Sequence, residues 1–349
     1  MVVPLNIPAR LSRLTAPAFS IRVNGLPASP AFIDRLVSIN VVLNNGEVSD
    51  QLSLVFDDRE TFWGRDIAIP SQGVNLSVSL GYQALTSEMG DFIVNQVHAS
   101  GSGGGRTLSV TATPTLLSGE SMLTWGDESL STIVSDIAKK YDLIAKVSAK
   151  LANRKLPVVH QCNESDSAFL TRLAQRFNAF VKPMAGNLLF MTRGEGSSAS
   201  GLPMLPVVIP AQDVLSWSKT LSEQHDFTKV GARWSDFQSG IEQEVYMPPQ
   251  KPQKNEMILR DSIIYNNQAE AEAAAEAKFK EVNRDNEKIQ LTVLGNPHIT
   301  AEGKILVDGL RSGANGTYIV ERVTHSFSQG GFQSQIQAYV EPVANGLNI

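Results

Sequence analysis

The sequence is nearly without cysteine. Cys162 stands alone among 349 residues, so no disulfide can form within the chain. That suits a reducing compartment, or one where disulfides are not needed. Its expected role is a small packing residue beside a helix start. Long apolar runs are missing too. No segment approaches the ~18 consecutive apolar residues of a membrane-spanning helix. The N-terminus, with Pro4 and Pro8, lacks the apolar stretch of a signal peptide. A soluble protein without signal-peptide export is expected. Charge is sparse, at 19% of residues and net −5, which argues against nucleic-acid binding, since that needs a basic face.

Catalytic patterns are also lacking. The five histidines are His98, His160, His225, His298 and His325, and no pair has the spacing of metal ligands on a helix. There is no HExxH and no G-x-S-x-G. The GSGGGR stretch at Gly101–Arg106 has the glycines of a phosphate loop, but it leads from strand to strand and carries no Lys-Ser/Thr pair, so it reads as a hairpin tip. Glu164 and Asp166 are the one close carboxyl pair worth weighing. A retaining glycosidase needs two carboxyls ~5–5.5 Å apart across a cleft, whereas residues two apart at a helix start point in different directions. No catalytic set, cofactor or metal is expected.

What is present is strand after strand. Phe19, Ile21 and Val23 alternate with polar residues, and Leu36–Leu43, Leu52–Phe56, Val74–Tyr82, Phe92–Val97 and Leu108–Ala112 continue the pattern. Many short strands with turn signals, such as Asn45-Gly46, indicate a β-barrel or sandwich, assigned to residues 18–115 after an arm at 1–17. A small α/β domain follows at 116–200. Its first helix carries Leu130, Ile133, Val134, Ile137, Ala138 and Tyr141 on one face, capped by Asp127 or Ser129. Residues 126–143 superficially resemble a LysM peptidoglycan-binding module, but the helix and hairpin that follow do not complete one. GEGSSASG at 194–201 is a linker by composition. A second β region at 201–349 includes Val207–Ile209, Val214–Trp217, Thr228–Trp234 and Glu242–Tyr246, a proline-rich loop at 247–254, and a helix at 267–283 capped by Asn267. That helix is alanine-rich and suits either a solvated outer position or a subunit contact. In the last strand, Gln333, Gln335 and Gln337 share one face. A neutral face of this kind is solvated by default, and it also suits the wall of a passage that does not grip its contents.

The most informative stretch is His160–Met191. Phe169, Leu170, Leu173 and Phe177 form one apolar helical stripe. Asn163 and Ser165 are candidate N-caps, and Glu164 and Asp166 meet the positive end of the helix dipole. Asn178 suits a left-handed C-terminal turn. Ala179–Val181 and Leu188–Met191, with Gly186-Asn187 between them, read as a hairpin.

An internal repeat is visible. Gly90–Ala112 aligns with Gly316–Ala338 without a gap. Gly90 meets Gly316, Ile93-Val94 meets Ile319-Val320, Val97 meets Val323, Gly104-Gly105 meets Gly330-Gly331, and Ala112 meets Ala338. Turn glycines and strand phase agree together, which points to two similar β domains on either side of the helical centre.

The combination Gln161, Asn163-Glu164-Ser165-Asp166, Phe169-Leu170, Arg172-Leu173, Gly186 and Leu188–Phe190 resembles the central region of the late control protein D family, the hubs of contractile phage tails with relatives in R-type pyocins and type VI secretion spikes. Gly81–Val97 resembles part of that family's first tube domain. The resemblance covers roughly residues 18–345, leaving out the arm and the loop at 247–260. It implies a mainly β fold with an α+β centre: two tube-type β-barrel domains flanking a small α/β domain. It further implies a non-enzymatic baseplate hub, a homotrimer forming a pseudo-six-fold ring whose open strand edges close by pairing. The implied partners are the tail tube, the central spike and other baseplate proteins, in the virion tail after assembly in the host cytoplasm. Nucleic acid would pass through the lumen without being bound. Phe169, Leu173 and Phe177, with Ser165 and Asp166 starting their helix, are the expected structural residues of the brace that sets the spacing of the β domains. A peptidoglycan-binding tail protein and a tail-associated cell-wall hydrolase are the alternatives.

Overall fold

The computed structural model describes residues 16–46, 48–58, 70–83, 85–102, 105–115, 117–156, 158–184, 186–194, 205–222, 227–235, 241–248, 257–265 and 267–341. Most of the N-terminal arm, positions 195–201 of the linker, positions 249–254 of the proline-rich loop and positions 103–104 of the hairpin tip lie outside these residues.

The chain is mainly β. Its first part comprises β1 (Pro17–Val23), β2 (Leu26–Pro27), α1 (Pro30–Asp34), β3 (Leu36–Asn44), β4 (Gln51–Asp57), β5 (Asn75–Tyr82), β6 (Leu85–Ser102) and β7 (Gly105–Thr113). The centre comprises β8 (Glu120–Trp125), α2 (Leu130–Lys139), β9 (Ile144–Val147), α3 (Ala149–Ala152), β10 (Val159–Ser165), α4 (Asp166–Arg176), β11 (Ala179–Met184) and β12 (Asn187–Thr192). The last part comprises β13 (Val207–Pro210), β14 (Val214–Leu221), β15 (Phe227–Ser235), β16 (Glu242–Met247), β17 (Met257–Tyr265), α5 (Gln268–Asn283), β18 (Glu287–Leu294), β19 (Lys304–Asp308), β20 (Gly316–Ser328) and β21 (Gly331–Tyr339).

The strands obey the period of two that places alternate side chains on opposite faces. Leu76, Val78 and Leu80 of β5 are buried. In β21, Phe332, Ser334, Ile336 and Ala338 point inward while Gln333, Gln335 and Gln337 are exposed.

One sheet runs through both β regions in the order β14-β18-β21-β20-β3-β4-β7-β6-β5-β1-β2, with β19 also on β20 and β13 on β19. The two β regions flank the centre in sequence only. In space they are hydrogen-bonded to each other, because β3 pairs antiparallel with β20 from Arg322↔Asn44 to Ser328↔Ser38. One apolar cluster spans them, from Ile39, Leu54 and Phe92 to Ile289, Tyr318 and Ile336.

The repeat extends to the backbone. The β6–β7 ladder shifts register between Val94 and Gln96, opposite Ala112 and Thr111. The β20–β21 ladder shifts between Val320 and Arg322, opposite Ala338 and Gln337, which are the aligned positions. The outer ladders agree as well, with a shift between Leu36 and Ser38 in β3 and between Val214 and Ser216 in β14. Gly90 and Gly316 both have positive φ, at 131° and 148°. Thus β3-β4-β7-β6-β5 and β14-β18-β21-β20-β19 are two five-stranded units built to one plan. A β-bulge bends a strand and raises its twist, so bulges at matching places give the two units matching curvature.

The centre has its own core, in which Leu130, Ile133 and Ile137 of α2 meet Phe169, Leu170 and Leu173 of α4 and Leu188 and Phe190 of β12. The β11–β12 hairpin pairs Met184 with Asn187. Asn187, expected in the turn, is therefore the first residue of β12, and Gly186 before it has φ 72°.

The insertion in the last part is larger than the single helix expected at 267–283. Strands β16-β15-β17 form a separate three-stranded sheet. The α5 residues Ala271, Ala274, Ala275 and Phe279 pack on Val230 and Ala232 of that sheet. The small alanine side chains let the helix lie close to strands of its own chain.

Candidate functional site

The N-terminus of α4 is built as its sequence dictates. Ser165 is the cap, its Oγ accepting from the Ala168 N–H at 3.1 Å. Asn163, the other cap candidate, instead sits at φ 48° in a bulge of β10 between Cys162 and Glu164. Asp166 is fully buried. Its Oδ2 accepts from Tyr141 Oη at 2.9 Å, its Oδ1 accepts from Gln161 Nε2 at 2.8 Å, and Lys140 Nζ lies 3.3 Å from Oδ2. A carboxylate expected only to meet the helix dipole therefore ties α2, β10 and α4 together.

Phe169 and Leu173 are buried, and the Trp125 ring stacks on Phe169 at 6.2 Å. Phe177 is half-buried at the C-cap, with the Arg154 guanidinium 5.1 Å above its ring. Asn178 adopts the left-handed conformation expected of it, at φ 46°. Cys162 is exposed, contrary to its expected packing role. β10 turns Val159 and Gln161 inward, and the alternation sends His160 and Cys162 to solvent.

The three parts of the chain converge on buried charges. Arg193, just past β12, reaches Glu302 of the last part at 2.8 Å and the Asn45 carbonyl of the first part at 3.1 Å. Its Nε donates to the Ala179 carbonyl at 3.2 Å. The second Glu302 oxygen accepts from the Gly194 N–H at 3.3 Å. Glu302 itself sits at φ 61°. Burial pushes its carboxyl above the usual range, against the opposing pull of Arg193 and Arg284. Lys182 of β11 pairs with buried Asp50 at 2.7 Å, and Asp50 also accepts from the Asn44 N–H at 2.8 Å. Arg284 stacks over Tyr339 at 5.4 Å and donates to Asn178 at 3.5 Å. At Gly46, with φ 87°, a side chain would strike Phe180 of β11, so glycine permits the close approach of the two parts. Buried charges tolerate few alternative geometries, because an unpaired one is costly. The junction therefore fixes the centre against both β units.

The carboxyl pair has no catalytic arrangement. Glu164 is held by Arg172, while Asp166 is enclosed by Tyr141, Gln161 and Lys140. Among the described residues there is no cluster of three His, Cys, Asp or Glu side chains able to hold a metal. No helix among them is long and apolar enough to cross a membrane.

The sequence of residues 71–331 matches the family model described as phage tail baseplate hub (GPD). The chain belongs to that family. Among relatives, this hub protein is 27% identical to a probable baseplate hub protein of Escherichia phage 186, over 98% of this chain and 97% of that one. It is 26% identical to a probable baseplate hub protein of Escherichia phage P2, over 88% and 89%. The fold of the hub is shared with a 43 kDa tail protein of prophage MuSo2 from Shewanella oneidensis, at TM-score 0.70 and 14% identity, covering 93% of this chain and 99% of the other. It is shared too with an Escherichia coli component of the type VI secretion system, at TM-score 0.60 and 11% identity, covering 93% and 79%.

Within the hub, Ser165, Asp166, Phe169 and Leu173 come together at the base of α4, and Phe177 closes its far end. Arg193, Glu302, Lys182 and Asp50, which form the charged junction, were not singled out from the sequence.

Proposed function

We propose that this hub protein is a non-enzymatic structural component that assembles as a homotrimeric ring and joins the tail tube to the central spike. The observation that carries the reading is the duplication of a five-stranded unit, with the same bulges, on one chain. Three chains then present six similar units to a six-fold tube while keeping three-fold symmetry for a spike. The fold shared with a type VI secretion component supports the same placement.

The central core around Phe169, Leu173 and Phe177, started by Ser165 and Asp166, acts in this reading as a buttress on the sheet. It is not a spacer between the two β units, which bond to each other directly. A shallow face with a volume of about 420 Å³ is lined by Ser216, Ser218, Gln290, Thr292, Gln335 and Gln337, with Arg322 its one cation. So neutral a surface suits the lumen, because nucleic acid passing it meets few charges that would hold it. The protein's place is the virion tail baseplate, beside other baseplate proteins, with the host cytoplasm as its place during assembly.

Light-scattering mass of the purified protein, alone and mixed with the spike protein, tests the reading. Three copies per particle are expected in at least one condition. A folded monomer whose mass the spike leaves unchanged overturns it.

A further inference from the structure

The ribbon of β8 and β10 carries three metal donors on its outer face. β10 turns His160 and Cys162 to solvent. In the antiparallel ladder Cys162 faces Met122 of β8, and His160 faces Thr124. Met122 is 77% exposed. The inner face of the same ribbon is packed, with Val159 and Gln161 buried and Trp125 stacked on Phe169. The three donors therefore stand on a firm base and not on a loop.

Their spacing suits one ion. Residues two apart on a strand point the same way, with Cα atoms roughly 6.5–7 Å apart. Residues facing each other across an antiparallel pair have Cβ atoms about 4.5–5.5 Å apart. An imidazole and a thiol at the first spacing, and a thioether opposite the thiol, can meet at one point above the ribbon through bonds of roughly 2.0–2.3 Å. The His160 ring is already oriented, since its Nδ1 lies 3.0 Å from Thr124 Oγ1. With Nδ1–H donating to Thr124, Nε2 keeps the lone pair that a metal takes, as in histidine ligands generally. Arg172 steadies the backbone beneath, its Nη2 donating to the His160 carbonyl at 2.9 Å. Glu164 is held by Arg172 and Asp166 is buried among its own partners, so neither carboxylate competes for the ion.

We propose that His160, Cys162 and Met122 bind one Cu(I) ion. Thiolate and thioether donors select Cu(I), whereas structural zinc takes four ligands from Cys, His and carboxylate side chains. As the copper–sulfur bond forms, Cys162 gives its thiol proton to solvent and the copper keeps its oxidation state. Affinity therefore falls as pH drops, because protons compete for the same sulfur and nitrogen. Among the described residues β8 pairs with β10 alone, and a two-stranded ribbon is marginal by itself. An ion that bridges Met122 to His160 and Cys162 ties β8 down and adds its binding free energy to the stability of the centre. The inference is independent of the ring reading.

The full chain is titrated with Cu(I) under ascorbate without oxygen, in competition with bicinchoninate. One ion per chain is expected, with a raised melting temperature and an X-ray absorption spectrum showing two sulfur ligands and one nitrogen. Cys162→Ser is expected to abolish binding and the melting shift. His160→Gln and Met122→Leu are each expected to weaken binding at least tenfold. All three changes are at exposed positions and are expected to leave the circular dichroism spectrum intact. Wild-type affinity in His160→Gln or in Met122→Leu shows copper on the lone thiol and overturns the site. One copper shared between two chains, or no binding by the wild type, also overturns it. Displacement of the copper by an equal concentration of Zn2+ overturns the choice of ion.

Discussion

Arg193 Nη1 lies 2.8 Å from Glu302 Oε1, and both side chains are 6% exposed. Removing one partner strands the other charge in the interior. Arg193→Met is expected to destabilise the fold by about 3–5 kcal/mol. The double variant Arg193→Met with Glu302→Leu is expected to recover much of that loss. Urea unfolding of both variants is the measurement, and equal losses in the single and double variants would argue that the pair is not coupled.

His325 is fully buried between Ser334 Oγ, 2.9 Å from its Nδ1, and the Ile299 carbonyl, 3.0 Å from its Nε2. Burial lowers its pKa from 6.5 to about 4. Between those values the unfolded chain binds the proton and the folded chain does not, so stability falls as pH drops from 6.5 towards 4 and this contribution levels off below. At one pKa unit per 1.36 kcal/mol, the loss from this group is about 3 kcal/mol. Urea midpoints at pH 7, 5.5 and 4 are expected to drop less for His325→Gln than for the wild type.

Leu173 has no exposed surface and packs in the core of the centre. Leu173→Ala is expected to cost about 2–5 kcal/mol. Leu173→Asp is expected to prevent the centre from folding and thereby to disrupt assembly. A Leu173→Asp protein with wild-type melting and wild-type particle mass would rule out the buttress.

The Phe332 ring lies against Gly295, where an added methyl would overlap it. The Gly295 carbonyl also accepts from Tyr82 Oη at 2.9 Å, linking the two β units. Gly295→Ala is expected to cost about 1–3 kcal/mol through overpacking. Combining it with Phe332→Leu is expected to cost less than the two separate losses added together, and thermal melts of the three variants measure the difference.

Local features were legible in the sequence because their causes are local. Alternation announced β5 and β21, and short polar side chains announced the caps Ser165 and Asn267. The repeat was legible through Gly90 and Gly316, whose positive φ restricts the residue type. β17 was missed because Arg260-Asp261 interrupts its apolar pattern. β10 escaped because its short alternation of Val159 and Gln161 with His160 and Cys162 runs directly into the helix cap. Arg193 and Glu302 are 109 residues apart and belong to no pattern. Nothing short of the fold pairs them. The β3–β20 partnership escaped for the same reason, since a strand's own sequence does not name its neighbour.

The partnership sets a schedule for the newborn chain. About 280 residues separate β3 from β20. At the ~5–20 residues per second of synthesis, the edge of β3 waits roughly 15 to 60 s for its partner. During that interval the row β3-β4-β7 has its β3 edge uncovered, and neighbouring ribosomes on the same message carry identical rows. Wider spacing of translating ribosomes is then expected to raise the share of hub that reaches its native state.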